Sequence, residues 1–180
     1  MANYTDVLLI NENVIKSVTN ISENVSAGYL LPSIKLAQDV FLEETIGSVL
    51  KQSLQKKVFD NTLDTKYKFL LDEYIQPYLT YAVIVELIPN VAWKISNAGV
   101  LVTNDEKMTN VSTNDVDKIR NHYKHLSDIY KGRLQKYLIA NFNDFPELSK
   151  SSGIDKIRHN LYSTASCNLN LGGERGRWKR

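Results

Sequence analysis

His122 and His125 stand three residues apart in "RNHYKHLSD", a spacing that puts both imidazoles on one side of a helix, as a two-ligand metal site needs. No cysteine or third histidine lies near them and no HExxH pattern exists, so they read as solvated surface residues off the apolar stripe. The carboxylate pairs Glu43-Glu44 and Asp72-Glu73 are adjacent in sequence, which turns each pair toward different faces of a helix, where they do not converge on a substrate. Cys167 is the one cysteine; it excludes an intramolecular disulfide, and without a basic partner it is a poor nucleophile. "LGGERG" at 171–176 fits neither GxxxxGK[ST] nor GxGxxG and lacks a strand-then-helix setting, so a nucleotide site is rejected. The expectation is a chain that is not an enzyme, with no catalytic residue, no cofactor and no metal.

The sharper chemistry lies in the last residues, "ERGRWKR". Arg175, Arg177, Lys179 and Arg180 surround Trp178. Three readings stand side by side: a phosphate grip with the indole stacked on a base, an anchor in an acidic protein groove, or a tail without a role. Charge is divided in the same sense. Residues 1–149 carry 15 Lys/Arg against 18 Asp/Glu, and residues 150–180 carry 7 against 2. A mildly acidic body thus bears a basic arm, a division typical of interaction tails.

The elements that would position these groups are helical. With 43% apolar residues in 180, the chain can bury a core, and its length suits one domain with an attached arm. The expected organisation is an all-α body over 1–149 and an extended C-terminal arm over 150–180. Val7 to Ile10 reads as a strand or an extended arm. Pro32 suits the first turn of a helix bearing Ile34, Ala37 and Phe41, and after Gly47 the apolar spacing continues through Leu50, Leu54 and Val58. Tyr67, Leu70, Leu71, Tyr74 and Tyr78 share a stripe, and Pro77 within it predicts a kink or a restart. The longest pattern runs over Val116, Ile119, Tyr123, Leu126, Tyr130, Leu134, Tyr137 and Leu138. The segment Tyr78 to Trp93 is broken by Glu86 and Pro89 and is too short to span a bilayer, and no signal peptide is expected.

Between these helices lies a pause. "VAWKISNAGVLVTNDEKMTNVSTNDVDKIRNHY" (91–123) holds a β-branched patch, Val100-Leu101-Val102-Thr103, and an Asn/Thr-rich loop. Packed helices are joined by ~2–8 residues, so a longer polar insert builds something further. Gly99 permits a tight turn, and the alternation of Val100, Leu101 and Val102 suits a short strand.

The order of "LPSIKLAQDVFLEETIGSVLKQSLQ" (31–55), "LLDEYIQPYLTYAVIVELIP" (70–89), "VAWKISNAGVLVTND" and "VDKIRNHYKHLSDIYKGRLQKYL" resembles the head-to-tail adaptor proteins of tailed bacteriophages, of the Bacteroides-phage and crAss-like type. The similarity covers residues 10–148. It implies a small helical bundle with a β-hairpin or loop excursion over 97–111, assembled as a ring of twelve between portal and tail. It also implies a location at the head–tail interface of the virion, with DNA only as transient cargo. Gly99, Val100, Leu101, Val102, Arg175, Arg177, Trp178, Lys179 and Arg180 are the expected partner contacts. The alternative is a small helical nucleic-acid-binding protein that uses its basic tail.

Overall fold

The computed structural model describes residues 3–22, 25–96, 99–102 and 113–150. Helices α1 (Glu12–Val18), α2 (Ala27–Leu36), α3 (Glu43–Ile46), α4 (Ser48–Phe59), α5 (Thr65–Leu70) and α6 (Gln76–Ala92) come first. Strands β1 (Trp93–Ser96) and β2 (Gly99–Val102) follow, then α7 (Thr113–Ala140) and the single turn α8 (Glu147–Lys150). The described body is mostly helical.

Local chemistry sets the boundaries. The Asn11 side chain accepts the Val14 N–H at 3.0 Å to cap α1, and Ser26 accepts the Gly28 N–H at 3.2 Å to cap α2. Helix α2 therefore begins at Ala27, and Pro32 sits in its interior instead of its first turn. The exposed ring leaves the Gly28 carbonyl without a helical donor on a face open to water. Gly47, at φ 83°, separates α3 from α4, a backbone region where a side chain would be strained. Asn61, at φ 53°, ends α4, and the Thr62 N–H reaches back to the Lys57 carbonyl at 2.9 Å.

Two wide turns join helices without a break. The π turn Ala37–Leu42 links α2 to α3, and the π turn Leu71–Ile75 links α5 to α6. The second lies just ahead of Pro77, where a kink or restart is expected, and α6 begins at Gln76. The Gln76 N–H bonds to the Leu71 carbonyl five residues back, so the backbone is already widened where the proline ring enters.

Helix α6 is the centre of the bundle, packed against α2, α7 and α1. Tyr78, Leu79, Ala82, Val83, Ile84, Val85 and Leu87 are all buried, as an all-round apolar helix requires. Leu30, Ile34, Leu42, Ile46, Leu50, Leu54, Leu134 and Leu138 complete the core at 0% exposure, each contributing about 1.5–3 kcal/mol of transfer free energy.

The segment Val7 to Ile10 forms no strand. Leu9 and Ile10 are buried, and three glutamine side chains take the place of a neighbouring strand. Gln38 accepts the Leu9 N–H at 2.8 Å and donates to the Val7 carbonyl at 2.9 Å. Gln55 donates to the Thr5 and Val7 carbonyls, both at 3.1 Å, and Gln76 donates to the Leu9 carbonyl at 3.3 Å. These bonds satisfy main-chain groups that burial would otherwise leave orphaned.

The tyrosines of α7 pack along one seam. Tyr137 stacks on Tyr74 at 4.1 Å and Tyr130 on Tyr81 at 5.1 Å, with Tyr123 at 6.5 Å from Tyr81.

Candidate functional site

The groups with reactive chemistry are dispersed. His122 and His125 lie exposed on α7, and among the described residues no three His, Cys, Asp or Glu side chains gather around a point. Glu43 pairs with Lys51 and Glu44 with Lys131, so these neighbours diverge onto α4 and α7. Asp72 and Glu73 are exposed. The half-buried carboxylate of Glu147 accepts from Ser53 Oγ at 2.7 Å and from Tyr67 Oη at 2.7 Å. Burial pushes that carboxyl upward, but the two hydroxyls and nearby Lys57 outweigh it and hold it below the usual carboxylate range. Its role is to fasten α8 to α4 and α5.

A groove of about 310 Å³ lies over α6. Tyr78, Ala82 and Val85 line it together with Phe41 and Glu44 from one flank and Lys124 from α7. Burial raises the Tyr78 hydroxyl to about 12. That hydroxyl donates to the Phe41 carbonyl at 3.2 Å and lies 3.2 Å from Thr45 Oγ1. At the distal end, Arg120 Nε donates to the Val85 carbonyl at 3.3 Å and its guanidinium lies 3.8 Å from Glu86. Both charge signs line the groove, and Glu44 with Lys131 and Glu86 with Arg120 pair across it from one helix to the other. It is a seam between helices.

The unspent chemistry is apolar. Along α7, Leu134 and Leu138 are fully buried, yet Ile119 and Ile129 are each 47% exposed. The expected core stripe is therefore buried in the C-terminal half of the helix only. On the other side of α6, Tyr29, Leu36 and Val40 are 46%, 43% and 49% exposed. Spacing shows where an apolar face is, but burial depends on what stands opposite it.

Of the expected contact residues, Gly99, Val100, Leu101 and Val102 form β2. It pairs antiparallel with β1 in the register Trp93↔Val102, Lys94↔Leu101, Ile95↔Val100, Ser96↔Gly99. The paired segment begins at Trp93, four residues before the expected excursion, because helix α6 ends at Ala92. The remainder of that excursion, residues 97–98 and 103–111, lies outside the described residues, as do Arg175, Arg177, Trp178, Lys179 and Arg180. The sequence alone did not separate the exposed apolar positions of α2 and α7 from the buried ones. The signal was present in the apolar positions that exceed what one layer of neighbours can cover.

Among the described residues no helix is long and apolar enough to cross a membrane. No curated protein and no solved structure matches the chain. The model of a family of unknown function (DUF6712) matches residues 36–158, from the last residue of α2 through the paired strands, α7 and α8. That stretch is more than half of the chain, which therefore belongs to the family of unknown function DUF6712.

Proposed function

We propose that this chain is a structural virion protein, a head-to-tail adaptor whose copies form a ring that joins the portal to the tail and lets DNA pass. The sequence resemblance supplies the ring, its twelve copies and its place at the head–tail interface. The observation that carries the reading in this structure is the set of large apolar side chains left exposed on two separate helices, Tyr29, Leu36 and Val40 on one and Ile119 and Ile129 on the other. Such surface on a folded body suits protein contacts. In this reading the excursion over 97–111, with Gly99, Val100, Leu101 and Val102, touches the next subunit or ring. The arm bearing Arg175, Arg177, Trp178, Lys179 and Arg180 grips the portal or a neighbouring ring.

The nucleic-acid-binding alternative rests on the arm's charge, and the body's excess of acids over bases weighs against it. Sizing the purified chain alone, with DNA and with its cognate portal separates the two. An adaptor forms a ring or a portal complex and binds DNA weakly, with affinity lost as salt rises. Tight, sequence-selective DNA binding by a monomer contradicts the proposal.

A further inference from the structure

We infer that neighbouring copies join by laying the outer face of α7 from one copy, in parallel, against the outer face of the α2–α3 rod of the next. This deepens the ring reading and rests on it. On α7, positions 119, 122, 126, 129 and 133 follow the three-four spacing of a single helical face, and Ile119, His122, Ile129 and Arg133 on it are exposed. On the rod, positions 29, 32, 36, 40 and 43 do the same, with Tyr29, Pro32, Leu36 and Val40 exposed. Each face spans fourteen residues from first position to last, about 21 Å on α7 at the helical rise of ~1.5 Å per residue and somewhat less on the rod, which its π turn shortens.

Charge makes the two faces complementary. Over its full length, α7 carries six Lys/Arg and two His against three acids, Asp115, Asp117 and Asp128. The rod, residues 27–46, carries three acids, Asp39, Glu43 and Glu44, against one base, Lys35. Within one copy, Asp39 and Glu43 share the Lys51 ammonium, Glu44 meets Lys131, Lys35 meets Asp6, and Lys118 and Arg120 meet Asp115 and Glu86. The rod therefore keeps an acidic excess, and Lys124, Arg133 and Lys136 leave α7 a basic one. Opposed fields of this kind steer encounter and fix register.

Direction is also set. Ser33 meets Asn90 and Thr45 meets Tyr78, so the rod runs antiparallel to α6. Tyr74 meets Tyr137 and Tyr81 meets Tyr130, so α7 is antiparallel to α6 as well. The rod and α7 therefore share a direction, and rotation about a ring axis preserves it for elements aligned with that axis. In the parallel register Tyr29 faces Ile119, Leu36 faces Leu126, Val40 faces Ile129 and Glu43 faces Arg133. Two unlike patches make a head-to-tail contact that closes into a ring, not a two-fold dimer.

The test is short-span bismaleimide cross-linking of the full chain in a Cys167→Ser background. The Val40→Cys, Ile129→Cys double variant is expected to give a ladder of covalent multimers. An equimolar mixture of the two single variants gives covalent dimers and nothing larger, and neither single variant links to itself. Self-linking of a single variant, or linking of Val40→Cys to Ile119→Cys instead, overturns the proposal. An assembled ring without the ladder overturns this interface and leaves the ring standing. A chain that stays monomeric with and without portal overturns both.

Discussion

Arg120 supplies the hydrogen bond that Pro89 removes. A residue at 89 with an N–H would donate to the carbonyl four residues back, that of Val85, inside α6. The proline cannot, and Arg120 Nε reaches across from α7 to the same oxygen at 3.3 Å. Helix and helix partner are thus coupled through one partly buried acceptor.

Arg120→Met is expected to lower stability by about 1 kcal/mol, the cost of an unpaired carbonyl. The Glu86 contact adds little, because the arginine side chain is 46% exposed and the pair is 3.8 Å apart. In a Pro89→Ala background, which restores the helical donor, the same substitution should cost much less. Urea denaturation of the four proteins measures the coupling. Equal losses in both backgrounds would mean that the arginine acts elsewhere.

Gln38→Ala should be more severe, at roughly 2–3 kcal/mol, since it orphans the Leu9 N–H, leaves the Val7 carbonyl with Gln55 alone and opens a cavity. Hydrogen exchange at Leu9 should speed up far more than at α6. A loss below about 0.5 kcal/mol, the range of surface substitutions, would show the arm to be held by Leu9 and Ile10 alone.

Periodic apolar faces carried much of this fold in the sequence. Leu50, Leu54, Leu70 and Tyr78 are spaced as a helix demands and all are buried. The glutamines that hold the N-terminal arm were not legible, because a Gln that serves a distant carbonyl looks like any surface Gln. The π turn ahead of Pro77 was hidden too, since no residue type marks it. Ile119 and Leu134 both belong to the apolar pattern expected along this helix, yet one is 47% exposed and the other 0%. Which apolar positions become contact surface was therefore decided by tertiary arrangement, and the candidate site was legible as composition and not as place.

Alkaline titration offers a pH test. The Tyr78 hydroxyl is raised by burial to about 12, above the unfolded value of ~10. A raised value means that its contribution is complete below ~pH 10 and fades as pH rises through about 12. Stability of the native chain should fall across that window, and Tyr78→Phe should flatten the fall. A slope unchanged by the substitution would place the alkaline transition on other groups.

Truncation after Lys150 should shift stability by less than about 0.5 kcal/mol. Leu148 is buried and Glu147 is bonded to Ser53 and Tyr67, so α8 closes the body before the arm begins. The shortened protein should fail to hold the portal or an adjacent ring. Normal docking by the truncated chain would remove the arm from the account.

Replacing residues 97–111 with a short Gly/Ser link should leave a chain that is folded by circular dichroism and whose assembly, by sedimentation, is weakened but not abolished, since α7 and the rod remain. Rings that form normally from that variant would show that the excursion is not a contact.

Electron microscopy of the purified chain mixed with its cognate portal tests the adaptor reading most directly. The account predicts a closed ring of twelve copies stacked coaxially on the portal, with an open central channel. Monomers that leave the portal bare, or that coat added DNA instead, would contradict it.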